Sequence, residues 1–120
     1  MQVVRKSYGK SWPGTTFTGK TTLTALLDRQ EPGGMSLTIV TFEDGSVTNW
    51  HDHPGEQILY ILSGQGRVGT AETRWQVGPG DVIYVPPGER HWHGAEEGHT
   101  MTHISVTNVG PPTWYEEAPF

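Results

Sequence analysis

A chain of 120 residues has room for one domain with a single core, so residues 1–120 are read as one unit. Eight Lys and Arg against thirteen Asp and Glu give a net charge of −5, which leaves no basic footprint for nucleic acid and no basic amphipathic stretch for a membrane surface. The chain has no cysteine, which excludes disulfides and thiolate metal ligands and leaves imidazole, carboxylate or amide groups for any metal.

Sixteen Gly and nine Pro cut the chain into short pieces dominated by Val, Ile, Thr, Tyr and Trp, the composition of an all-β protein with little helix. Met1 to Lys10 is polar and basic without an apolar stretch, so a soluble cytoplasmic protein is expected. Gly14 to Thr21 fits G-x4-G-K-[ST], the phosphate-loop formula, but Lys10-Ser11-Trp12-Pro13 upstream is no buried strand of a parallel sheet, and the match is set aside. Leu23 to Gln30 suits either a helical turn or a strand. Met35 to Glu43 is a strand, and Asp44-Gly45 a turn of hairpin type. Further strands are expected from about Val47 to His53, interrupted by Pro54-Gly55, and over Gln57 to Leu62. Arg67 to Ala71 and Arg74 to Val77 form a hairpin, Val82 to Val85 a buried strand, and Pro86-Pro87-Gly88 a rigid corner. Strands at about Arg90 to Gly94 and Met101 to Thr107 complete an antiparallel sandwich or barrel.

Side chains alternate faces along a strand, so His51 and His53 point the same way, and parity carried through Pro54-Gly55 adds Gln57 while Glu56 turns away. His91, delivered by the proline corner, can bring a third imidazole from a separate strand. Such a set suits manganese, iron, nickel or zinc, with the Gln57 amide oxygen as a harder ligand. By the same alternation His93 shares a face with His91, and His103 lies on the next strand, so either can act as a general base; His99, among Glu96, Glu97 and Gly98, reads as a solvated loop residue. Trp50, Trp75 and Trp92 are available around an aryl group, although ordinary packing accounts for any one of them. On the Gln57 strand, Ile58, Tyr60 and Leu62 make the outer face apolar as well, so the N-terminal segment or a second subunit should cover it, and a homodimer or larger homo-oligomer is expected.

Two strings gather these residues: Gly45, His51, His53, Gln57 and Gly64 in G-x5-H-x-H-x3-Q-x6-G, then Gly80, Pro86, Gly88 and His91 in G-x5-P-x-G-x2-H. Their spacing resembles the two cupin motifs over about residues 35–108, which implies a double-stranded β-helix, or jelly-roll barrel. Two positions depart from the general pattern: Gln57 replaces a Glu, and Ala95 stands where an Asn is expected. The strings Phe17-Thr18-Gly19, Val40-Thr41-Phe42-Glu43, Thr48-Asn49-Trp50-His51, Gly88 to Ala95 and Met101-Thr102-His103 are similar to small single-domain cupins that include manganese-dependent (R)-hydroxynitrile lyases. That resemblance implies a divalent metal, Mn2+ or alternatively Fe2+, Ni2+ or Zn2+, held by His51, His53, Gln57 and His91. It also implies pocket positions at Thr38, Val40 and Thr48, and His93, His103 and Thr48 as candidate catalytic residues acting on a small-molecule substrate. An amide in place of a carboxylate leaves a divalent centre at +2, favouring Lewis-acid lyase chemistry over oxygen activation. The alternatives are a cupin dioxygenase or isomerase on a small acid or phenol, and a non-catalytic metal- or ligand-binding cupin.

Overall fold

The computed structural model describes residues 1–118, in which a 3-10 turn at Lys6–Tyr8 is the sole helical element. The strands are β1 (Lys10–Pro13), β2 (Thr21–Leu27), β3 (Gly33–Phe42), β4 (His51–Asp52), β5 (Gln57–Gly64) and β6 (Gly66–Gly69). They continue with β7 (Arg74–Val77), β8 (Val82–Val85), β9 (Trp92–Ala95), β10 (Met101–Val109) and β11 (Thr113–Trp114). All pairings are antiparallel, in a six-stranded sheet of order β1-β2-β3-β10-β5-β8 facing a smaller wall built from β7-β6-β9 and β11-β4.

The ambiguous segment from Leu23 resolves as strand: β2 finds partners on both sides, with Leu23 opposite Trp12 and Val40. The phosphate-loop string is an antiparallel connection: Phe17 bridges Thr48, and Thr21–Leu27 follows as strand where that motif requires a helix.

Asp44 and Gly45 both take left-handed φ, 48° and 75°, and reverse the chain as expected. The reversal does not close a hairpin, because β3 pairs with β2 and β10. Residues 46–51 cross to the opposite wall and run beside β9: Thr48 N–H donates to the His93 carbonyl at 2.9 Å, and Ala95 N–H to that of Ser46 at 2.9 Å. The strand expected from Val47 to His53 is therefore a chain of isolated bridges ending in β4. Its last bridge sets His51 directly opposite His91, with backbone bonds of 3.0 and 2.9 Å.

Between the walls, Val40 and Phe42 of β3 pack with Ile61, Val68, Val77, Ala95 and Met101. Full burial of the Phe42 ring contributes about 1.5–3 kcal/mol. β5 alternates as read: Gln57, Leu59 and Ile61 are buried, while Ile58, Tyr60 and Leu62 are 42–45% exposed. Two expectations change here. β8 is an edge strand with Val82 and Tyr84 exposed, so only Val85 is fully buried of a segment read as buried throughout. The N-terminal segment lies beyond β2 at the opposite edge of the sheet and does not cover the outer face of β5.

Candidate metal centre

His51 opens β4 with His53 two residues on, His91 bridges His51 just before β9, His93 lies on β9, and Gln57 of β5 and His103 of β10 come from the facing sheet. His51, His53, Gln57, His91, His93 and His103 are all at most 5% exposed. Ring centroids lie 4.2 Å apart for His51 and His91, 5.1 Å for His51 and His53, and 5.4 Å for His53 and His91. Among the described residues, one set of three imidazoles, those of His51, His91 and His93, brings a nitrogen from each within 4.8 Å of the other two. His93 is thus nearer the centre of the cluster than a purely catalytic role requires, and His53 is set slightly outside that group.

The backbone chooses the tautomers. His51 Nδ1 lies 2.9 Å from the Asn49 carbonyl and His91 Nδ1 2.8 Å from that of Glu89, so each Nδ1–H is donated and each Nε2 keeps a lone pair. Gln57 Nε2 donates to Ser105 Oγ at 2.9 Å, which turns Oε1 toward His91 Nε2 at 3.0 Å. Two acceptors therefore face each other. A doubly protonated His91 would join them, but burial, outweighing the bond to Glu89, lowers its pKa from 6.5. A divalent cation between amide oxygen and imidazole nitrogen removes the conflict, and the buried His53 Nδ1 and His93 Nε2, both without partners, offer further donors. The donor set fits such an ion.

His103 Nε2 sits 2.9 Å from His93 Nδ1, and both rings pack edge-on against Phe42. Thr48 Oγ1 accepts the His93 backbone N–H at 3.1 Å, fixing β9 beneath the pair. A cavity of about 260 Å³ opens over this floor, lined by His51, His53, Gln57, His93 and His103, and by the sequence-matched Thr38, Val40 and Thr48. A second cavity of about 360 Å³ lies between the free edges of β7 and β8 and touches His91 and His93 from the other side through Leu59, Val68 and Ile83.

The aromatic expectation needs revision. Trp50 and Trp92 pack with Val47 and Ala118, and Trp75 and Trp92 line the larger cavity, while the rings around the smaller one are Trp12, Phe17 and Trp114. Trp114 pairs with His51 through β11 and lies over its ring at 4.4 Å. The tail is held by Arg90, which sits 3.8 Å over the Tyr115 ring and pairs with Glu116 at 2.7 Å. Sequence reading missed Ser105, whose parity with His103 on β10 was a usable signal, and Arg29, which lay in the segment of undecided structure. His99 is exposed, as expected.

Burial lowers every imidazole of the cluster: His53 and His103 to about 4, His91 below 6.5, and His51 and His93 well below it, where neighbouring histidines add to the desolvation. In the unfolded chain these groups take up protons once pH falls below 6.5, whereas in the folded chain His53 and His103 resist until about 4. Their contribution is therefore complete above 6.5 and is lost as pH falls toward 4, with a slope of up to about 1.4 kcal/mol per pH unit for each histidine. Chelator-treated protein should lose urea resistance progressively from about pH 7 to about pH 4.5. A flat profile across that interval would contradict the burial of neutral imidazoles.

Two antiparallel walls closed over a histidine cluster define a jelly-roll barrel with a candidate metal centre. Residues 38–107 match the family model described as a cupin domain, and the chain belongs to the cupin family. It is 39% identical over 97 residues, 78% of this chain and 72% of the relative, to a protein of Granulicella tundricola named (R)-mandelonitrile lyase. A local match of 45% identity over 47 residues, 36% of this chain and 28% of the relative, links it to an acireductone dioxygenase of Rhodopseudomonas palustris. The crystal structure of a cupin-like protein from Thermotoga maritima superposes with a TM-score of 0.83 at 32% identity, covering 88% of this chain and 84% of that one.

Proposed function

We propose that this cupin is a metal-dependent enzyme, built as one domain over residues 1–120, that performs Lewis-acid lyase chemistry of the cyanohydrin-cleaving kind on a small organic molecule. The observation that carries the reading is Gln57 Oε1 facing the bare Nε2 of His91 at 3.0 Å within a ligand set that contains no carboxylate. His51, His53, Gln57 and His91 hold the ion, for which Mn2+ is the choice and Fe2+, Ni2+ or Zn2+ are substitutes. When bound, it supplies a positive charge that polarises a substrate hydroxyl or carbonyl oxygen.

The chain does the rest. His93 and His103, neutral because they are buried, take the hydroxyl proton, and passage along the 2.9 Å contact between them spreads it over two rings. The O–H electron pair becomes the second bond of the carbonyl, the C–C pair leaves with cyanide, and the histidines return the proton to cyanide. Thr48 holds β9 in place, and Trp12, Phe17 and Trp114 exclude water beside the substrate. The exposed apolar outer face of β5 and β8 supports a homodimer, and the acidic balance supports a cytoplasmic protein with neither nucleic-acid nor membrane partners; among the described residues no helix is long and apolar enough to cross a membrane.

The test is cyanide release from mandelonitrile with oxygen followed in the same vessel. Metal-dependent release without oxygen uptake is expected; oxygen uptake would overturn the assignment in favour of a dioxygenase on a small acid or phenol, which the local dioxygenase similarity favours, and neither cyanide release nor oxygen uptake would leave an isomerase on such a substrate. Gln57→Glu, which adds an anionic donor, should retain metal while cyanide release falls by about tenfold or more. A variant that cleaves at the original rate would show that the neutral amide is not what tunes the centre.

A further inference from the structure

The smaller cavity carries a cation that cyanohydrin cleavage does not use. Arg29, in the connection between β2 and β3, lines it together with His53, Gln57 and Ser105. Its Nη2 donates to Thr107 Oγ1 at 2.9 Å and to the Gly110 carbonyl at 2.7 Å, which fixes the guanidinium against β10. Among the described residues, Nη1 has no hydrogen-bond acceptor, Nε is buried without one, and no carboxylate pairs with the group. Asp28, the one carboxylate on the described lining, is exposed and makes no ion pair with its neighbour.

A guanidinium held in place and partly desolvated with no counter-ion is unfavourable until an anion arrives. Its planar fork matches a carboxylate better than any other common organic anion of this size except phosphate, and the cavity of about 260 Å³ admits a molecule of only modest size. The four ligands assigned to the centre are all neutral, so a divalent ion there would keep its full charge and add to the attraction. We propose that Arg29 is a specificity residue for a substrate carrying a carboxylate, a small hydroxy or oxo acid whose hydroxyl or carbonyl oxygen is directed to the histidine cluster. This rests on the reading of the cluster as a metal-dependent centre for small organic molecules, and it narrows the substrate class of that centre.

Calorimetric titration of metal-loaded protein with mandelate and with its neutral amide, mandelamide, tests it. Because a carboxylate also binds a metal ion directly, the quantity that reads Arg29 is the change in the mandelate-to-mandelamide affinity ratio on mutation. Arg29→Gln is expected to lower that ratio by about tenfold or more, with metal content unchanged by elemental analysis. Arg29→Lys, which keeps the charge without the fork, should lie between, and it carries the comparison if Arg29→Gln fails to melt cooperatively. Chelator-treated protein, with the metal contribution removed, should still prefer mandelate, and that preference too should depend on Arg29. Unchanged ratios in both variants, or wild-type protein that binds the two ligands equally, would overturn the proposal. An Arg29-dependent preference without mandelonitrile cleavage would remove the lyase assignment and leave the substrate class standing; cleavage without that preference would do the reverse.

Discussion

His51→Ala should strip the protein of its metal and, with it, of cyanide release from mandelonitrile. The residue stands at the junction of everything that builds the centre: its backbone pairs with His91 at 3.0 and 2.9 Å, its Nδ1 is anchored on the Asn49 carbonyl, and Trp114 covers its ring. Removing even an outer partner of a metal ligand costs about 10–100-fold in affinity, and removing the ligand itself should exceed that. The expected result is a loss of at least about a hundredfold in affinity for added Mn2+ and the disappearance of its stabilising thermal shift, because the shift follows occupancy. His99→Ala, an exposed position, is the matched control and should change neither. A His51→Ala protein that still melts later when Mn2+ is added, with the same concentration dependence as wild type, would contradict the centre.

Gly64→Ala should be the most damaging conservative change in the chain. Gly64 closes β5 at φ +84°, and a Cβ there would overlap the Thr100 carbonyl where β10 begins. Left-handed backbone alone costs a non-glycine residue about 1–3 kcal/mol. The overlap must be relieved by moving backbone, since the obstructing atom is no flexible side-chain tip, and a total of about 4 kcal/mol or more is expected, a large share of the about 5–15 kcal/mol available to a domain. Gly98 has a similar φ of +77° with nothing within 4 Å of the missing Cβ. Gly98→Ala should therefore lose about 1 kcal/mol from conformation alone. Denaturant unfolding of both variants separates the two contributions, and equal losses would show that the approach to Thr100 is not what requires glycine.

The glycines and histidines were legible in the sequence because each answers to a local rule. A left-handed turn at Gly45, strand alternation through His51, His53 and Gln57, and the proline corner before His91 are short-range features, and together they located the cluster. Partnership between distant segments follows no such rule. Asp44-Gly45 is a turn, but nothing in its residues says that the chain then crosses to β9 instead of folding back on β3. Val82 and Tyr84 looked like core by composition, yet an edge position exposes them. Arg29 escaped notice because its segment had no clear period, and its meaning depends on Thr107 and Gly110, 78 and 81 residues away in the chain. Trp114 lies past the last strand expected from the sequence, and its place over the cluster comes from the pairing of β11 with His51. The relative closeness of His53 and His93 to the centre also depends on how two walls meet, which alternation along one strand cannot express.

Anomalous diffraction at the manganese edge, from crystals grown with Mn2+, tests the central claim most directly. One peak is expected at bonding distance, about 2.0–2.3 Å, from nitrogens of His51, His53 and His91 and from Gln57 Oε1, with His93 and His103 left free to handle protons. No peak in the cluster, or a peak bound by His93 with His53 and Gln57 unattached, would contradict it.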